Sequence, residues 1–204
     1  FALLLFVALG YMVKFYPEAL TGFDSNIQTW VRGDLPGGLT AFFKMITTLG
    51  NTSVQAVIAI LAVIWLYLRQ YKAEAIFVGT SGVLASIMIM SLKYIYQRPR
   101  PSITHLVHAG GYSFPSGHSL GTFMILGAIA IVLTQRLVKK AAKTAVYGIT
   151  GLLIFLVGLS RIYVGVHYPT DVLAGFTLAF GLLNAIYPTY DRIRFEWRFQ
   201  SKQK

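Results

Sequence analysis

The chain has 204 residues, 55% of them hydrophobic and 12% charged, and contains no cysteine. An average soluble domain carries about 25% charged residues, so a water-soluble globule is excluded, and so are a disulfide framework and a thiolate metal site. The formal charge of +11 would suit nucleic acid, but the cations gather at the ends of apolar runs, and no nucleic-acid partner is expected.

The fold expected is all-α: an integral membrane bundle of six transmembrane helices, with a short interfacial helical segment between helices 1 and 2. At about 1.5 Å per residue, roughly 20 apolar residues cross the hydrocarbon. Residues 1–16 read as a clipped first span, since Phe1 opens inside an apolar run with no initiator Met. Residues 17–51 mix Pro, Gly, Asp and Asn with aromatics and read as one or two amphipathic helices at the interface, with Trp30, Phe42 and Phe43 at headgroup level. Asp24 and Asp34 are expected to cap or turn this segment.

The second span is expected over 52–68 and the third over 75–95, ending where two prolines in QRPRPS forbid further helix. A polar loop covers 97–115. The fourth span is expected over 119–137, the fifth over 144–164, and the sixth over 172–187 after the link GVHYPTD. Residues 188–204 read as a basic, solvated tail, and 1–204 as a single domain.

Eleven cations (Arg69, Lys72, Arg136, Lys139, Lys140, Lys143, Arg192, Arg194, Arg198, Lys202 and Lys204) fall on the side of the termini, against seven on the other side. The positive-inside rule then places both termini in the cytoplasm, where the basic tail faces anionic lipid. The loops at 97–115 and 165–171 and the turn before the fourth span share the outer face.

That face collects Lys93, Arg100, Ser116, His118, Arg161, His167 and Asp171. Ionisable groups near membrane depth face a cavity or a partner. Several cations with one carboxylate, Asp171, imply a missing anion, and phosphate fits the Lys and Arg donors. The stretch YSFPSGHS adds a helix N-terminus whose free N–H groups point at the same anion, with Gly117 allowing close approach and Pro115 setting the geometry. Two histidines add chemistry, because a neutral imidazole attacks phosphorus while a protonated one gives the leaving alkoxide its proton. Asp171, four residues after His167, can orient it.

Lys93–x6–Arg100–Pro101, Pro115–Ser116–Gly117–His118 and Ser160–Arg161–x5–His167–x3–Asp171 resemble the three signature motifs of the type 2 phosphatidic acid phosphatase superfamily. The resemblance implies that His167 is the nucleophile forming a phosphohistidine, that Asp171 orients it, and that His118 is the general acid. It also implies that Lys93, Arg100, Ser116, Gly117 and Arg161 bind the phosphate. Within the superfamily the compact size is similar to that of bacterial phosphatidylglycerophosphate phosphatases. This implies phosphatidylglycerophosphate as substrate, with undecaprenyl pyrophosphate or phosphatidic acid as alternatives.

The partners implied are a lipid phosphate substrate and membrane lipids, with no obligate protein partner and no cofactor. A metal site built from His105, His108, His118 and His167 is disfavoured by the surrounding cations. His105 and His108 read as loop residues. Arg98, outside the motif spacing, reads as an interfacial or headgroup contact. A transporter would place its contacts at midplane on broken helices, whereas here they sit at helix ends. A binding protein would not need His118, His167 and Asp171 together.

Overall fold

The computed structural model describes residues 1–203. They form eight helices: α1 (Ala2–Phe15), α2 (Pro17–Arg32), α3 (Gly37–Thr48), α4 (Thr52–Leu68), α5 (Lys72–Tyr96), α6 (Gly117–Thr134), α7 (Lys140–Tyr163) and α8 (Pro169–Phe199). Four of these, α5 to α8, are long and apolar enough to cross a membrane on their own. The number rises to six if α1 with α2, bent by 107°, and α3 with α4, bent by 49°, each count as one span. The six spans read from the sequence correspond to α1 and α4–α8, and the interfacial segment to α2 and α3.

Helix α6 is the centre of the bundle, packed by α5, α7 and α8 and more lightly by α4. Its apolar residues are buried on several sides, among them Leu120, Met124, Ala128 and Val132. Small residues let its neighbours come close. A Cβ on Gly175 of α8 would lie 3.0 Å from the Ser116 carbonyl oxygen and the Ser119 side chain, so α8 rests directly on the first turn of α6. The apolar residues left exposed, such as Ile60, Leu61, Val83, Ile87, Ile149 and Phe155, lie on the helices that meet the hydrocarbon.

The polar ends turn back onto the bundle. Tyr16 separates α1 from α2, and Pro17 at the first position of α2 suits a helix start. Helix α2 then packs on α7 and α8, and α3 on α7. Phe43 of α3, Tyr163 at the end of α7, and Val164 and Val166 of the α7–α8 link form a small second core there. Phe114, fully buried, stacks on Phe6 and meets Tyr96 edge-on, fixing the loop that leads into α6.

The expected end of the sixth helix at 187 is corrected, although most of residues 191–202 are exposed. Helix α8 passes through Pro188 and ends at Phe199, about 46 Å of helix at about 1.5 Å per residue, longer than a hydrocarbon core of about 30 Å. A proline inside a helix costs about 3 kcal/mol, and tertiary contacts offset it. Tyr190 stacks on Phe77 at 4.2 Å and donates to Gln135 Oε1 at 2.6 Å. Arg194 also donates to that oxygen, and Arg198 reaches Glu74. Gln203 Oε1 accepts the Ala73 N–H at 2.8 Å, satisfying a free donor at the start of α5. Lys204 of the expected tail lies outside the described residues.

Candidate active site

The site forms where the α5–α6 loop, the N-terminus of α6 and the α7–α8 link meet. The link is shaped by the end of α7. Gly165 adopts a left-handed φ of +82°, and the amides of Val166 and His167 both bond back to the Arg161 carbonyl at 3.3 Å. This is how a glycine ends a helix while satisfying its last carbonyls. It sets His167 beside Arg161 at the mouth of the bundle.

Helix α8 begins two residues later, and its third residue, Asp171, reaches back. Asp171 Oδ2 accepts the Tyr168 N–H at 2.9 Å and lies 3.3 Å from His167 Nδ1. Both side chains are buried, His167 at 1% and Asp171 at 0% exposure. The carboxylate therefore holds the proton on Nδ1 and leaves the Nε2 lone pair facing the site. Arg100 Nη1 is 3.3 Å from that Nε2. Its guanidinium is braced by carbonyls of Val166, Gly110 and Gly111 at 2.7, 2.8 and 3.1 Å, so it is positioned without a carboxylate. Burial first, and then the charges of Arg161, Arg100 and Lys93, hold the His167 pKa well below its usual value. The ring is thus a neutral base.

Ser116 caps α6. Its Oγ accepts from the Ser119 amide at 3.3 Å and the Ser119 hydroxyl at 2.9 Å, while its own amide bonds the Asp171 carbonyl at 3.0 Å. The PSGH turn is thereby tied to the start of α8. His118, in the first turn of α6, has Nε2 3.1 Å from Asn51 Oδ1, an arrangement in which the carbonyl oxygen accepts the ring N–H. Gly50 makes room for this ring, since a Cβ there would stand 2.5 Å from His118 Cδ2. Arg161 is 4% exposed and donates to Thr47 Oγ1 at 2.7 Å, while its Nε has no acceptor. Held by a hydroxyl rather than a carboxylate, this guanidinium keeps its charge available to an anion. Lys93, in the last turn of α5, lies within electrostatic range of Arg100, Arg161 and Asp171.

The residues expected to act together, Lys93, Arg100, Ser116, Gly117, His118, Arg161, His167 and Asp171, thus converge at one end of the bundle. The expectation for Arg98 is corrected. It is 9% exposed and bonds both Asp24 and Asp171, at 2.7 and 2.6 Å, because the loop turns its side chain inward against the start of α8. Asp24 does not cap or turn its segment. It is 2% exposed and faces Arg98 and Thr170, so the site has a second carboxylate close by. His105 bonds the Pro101 carbonyl within its own loop at 2.9 Å.

Asn51, Thr47 and Gln55 escape the sequence reading. Gln55 is buried and bonds the carbonyls of Gly50 and His118 and the Thr122 hydroxyl, at 3.0, 3.3 and 3.0 Å. A lone Gln in the apolar run after Asn51 was the available signal, since a polar group in a span faces the interior.

A groove of about 620 Å³ runs down between α4 and α5 from this end. It is lined by Thr52, Gln55, Ala59, Val63, Gly82 and Ile89 among others. Ile89 also touches the backbone position of Gly117, so the groove's upper end abuts the PSGH turn.

The family model of the PAP2 superfamily matches residues 74–195. The chain is 43% identical over 106 residues to phosphatidylglycerophosphatase B of Bacillus subtilis (strain 168), a match covering 52% of this chain. It spans about half, 49%, of that relative's length. It is 32% identical over 133 residues to an undecaprenyl-diphosphatase of the same organism, covering 62% of this chain and 64% of the relative. The crystal structure of a transmembrane PAP2-type phosphatidylglycerolphosphate phosphatase from Bacillus subtilis superposes with a TM-score of 0.86 at 28% identity. That superposition covers 94% of this chain and 95% of the other.

Proposed function

The chain belongs to the PAP2 superfamily, and we propose that it is a multi-pass membrane phosphatase that removes the terminal phosphate of phosphatidylglycerophosphate. The observation that carries the chemistry is the buried Asp171–His167 pair with Arg100 at its free nitrogen. The proposed substrate rests on the similarity to phosphatidylglycerophosphatase B.

Arg100, Arg161, Lys93 and the N-terminus of α6 receive the phosphate oxygens. His167 Nε2 attacks phosphorus, forming the N–P bond as the P–O bond to the lipid breaks. With the phosphate dianion bound, His118 is protonated on both nitrogens; it gives its Nε2 proton to the departing glycerol oxygen and becomes neutral, releasing its bond to Asn51. Water then attacks the phosphohistidine with His118 taking its proton, so that phosphate leaves and both rings return to their starting states. The cations stabilise the charge on the transferring group, the usual large contribution in this chemistry. The acyl chains occupy the groove between α4 and α5 without leaving the bilayer. With the cation-rich termini cytoplasmic, the site acts on the extracytoplasmic leaflet.

The similarity to an undecaprenyl-diphosphatase supports a second reading with a polyprenyl pyrophosphate as substrate. Phosphate release from purified protein across phosphatidylglycerophosphate, phosphatidic acid and undecaprenyl pyrophosphate distinguishes the two. The proposal expects the highest kcat/KM on phosphatidylglycerophosphate. A pyrophosphate preference would transfer the assignment to the second reading.

A further inference from the structure

Behind the catalytic pair lies a buried polar array in which Asp171 alone is a signature residue of the motifs. Arg98 donates from Nη1 to Asp171 Oδ1 at 2.6 Å and to Thr170 Oγ1 at 2.7 Å, and from Nη2 to Asp24 Oδ2 at 2.7 Å. Asp24 also accepts the Thr170 amide at 2.9 Å and its hydroxyl at 2.8 Å. The guanidinium stacks over Tyr168 at 3.9 Å. Asp24, Thr170 and Asp171 are 2%, 1% and 0% exposed. The array therefore links α2, an interfacial helix distant in sequence, to the carboxylate that orients His167. Gln28, one turn further along α2, adds a longer contact at 3.5 Å to the His167 carbonyl.

Charge explains why a second carboxylate is useful. Arg98 alone would form a closed ion pair with Asp171 and cancel its charge. His167 would then face Arg100, Arg161 and Lys93 with nothing to stabilise the positive ring that forms on attack. With Asp24 on its other edge, the guanidinium serves two carboxylates, and the trio keeps one net negative charge.

We propose that Asp24 is a positioning residue for phosphoryl transfer. By sharing Arg98 with Asp171, it keeps Asp171 negative enough to hold the His167 Nδ1 proton and to stabilise the phosphohistidine. This inference rests on His167 being the nucleophile. The charged and titratable groups facing His167 are Arg161 on α7, Lys93 on α5, His118 on α6, Arg100 on the α5–α6 loop and Asp171 on α8. Arg98 and Asp24 stand behind Asp171.

The test compares Asp24→Asn, Arg98→Met and the double variant with the parent protein and with His167→Ala. The readouts are kcat, KM and the acid limb of kcat/KM on dioctanoyl phosphatidic acid in detergent micelles, with thermal unfolding measured alongside. Substrate ionisation is common to all variants and drops out of the comparison. Asp24→Asn removes negative charge and is expected to move the acid limb down by about one pH unit, with kcat falling about 10- to 100-fold. Arg98→Met removes positive charge and moves the limb up. The double variant restores the net charge and returns the limb toward the parent's position.

A purely structural array would lower the unfolding temperature without opposed shifts. Shifts in the same direction, or an unmoved limb, overturn the proposal. If Asp24→Asn does not fold, an unmoved limb in Arg98→Met does so alone. Turnover retained by His167→Ala would instead overturn the nucleophile assignment, a separate failure.

Discussion

Both ends of this helix bundle are rich in arginine, yet they balance charge in opposite ways. At the end near the C-terminus, buried Glu74 takes Arg136 at 2.7 Å and Arg198 at 3.2 Å, Asp191 takes Arg194 at 2.7 Å, and Arg136 lies over the Tyr71 ring. At the other end, Arg100 rests on carbonyls and His167, and Arg161 on Thr47, while the two carboxylates are bound to Arg98. The first arrangement ties α5, α6 and α8 together. The second keeps cations in place without neutralising them, which is what a receptor for phosphate requires. The same residue type is a staple where a carboxylate meets it and a receptor where none does.

The sharpest way to break this contrast is at the proposed nucleophile. His167→Ala is expected to lower phosphate release by about 10⁴-fold or more with unfolding little changed, and a phosphate assay on the purified variant decides it. Arg100→Ala removes a cation held without a carboxylate and should cost about 10²- to 10³-fold in kcat/KM, again with small loss of stability. The opposite end gives the mirror image. Glu74→Gln should leave kcat/KM near the parent value and destabilise the fold by about 2 kcal/mol. That is below the ~3–5 kcal/mol of a fully buried pair, because Arg136 and Arg198 reach solvent. A loss of activity there without loss of stability would erase the distinction between the two ends.

The effect of pH is smaller and follows from the buried neutral imidazole. With the folded pKa of His167 well below 6.5, the unfolded chain binds more protons beneath that pH. Stability from the neutral ring is complete above about pH 6.5 and declines as pH falls, by at most about 1.4 kcal/mol per pH unit until the folded pKa is reached. The acid limb of kcat/KM should accordingly lie below 6.5, and a limb at or above it would contradict the burial of His167. Smallest of all is the response to chelation. Lys93, Arg100 and Arg161 repel a divalent cation, so EDTA is expected to leave turnover unchanged. Loss restored by one particular metal would count against a phosphate receptor made of side-chain cations.

The proposed chemistry was legible because it is carried by residue type and spacing. His167 and Asp171 are four apart across a helix start, and Ser116–Gly117–His118 open α6, so each fragment declares its geometry locally. Arg98 and Asp24 were misread for the converse reason. They are separated by 74 positions, and nothing in RPRP or GFDSN says that the two side chains turn inward toward each other. Asn51 and Thr47 were missed in the same way, since the bend between α3 and α4 brings them to His118 and Arg161. The end of the last helix was misplaced on a different principle. Pro188 and a run of charges are local signals to stop a helix, and contacts with Phe77, Gln135, Glu74 and Ala73 override them.

The sequence by itself determined the helical membrane architecture, because backbone groups in hydrocarbon must be satisfied within each span and long apolar runs leave no other solution. It also marked the groups proposed to react, because their spacing is short-range. Only the tertiary structure decided which cations are neutralised and which stay available, how far α8 extends, and that an aspartate of an interfacial helix stands behind the His167–Asp171 pair. Those outcomes depend on pairings between distant segments, and burial makes each pairing strong while local sequence leaves it unspecified.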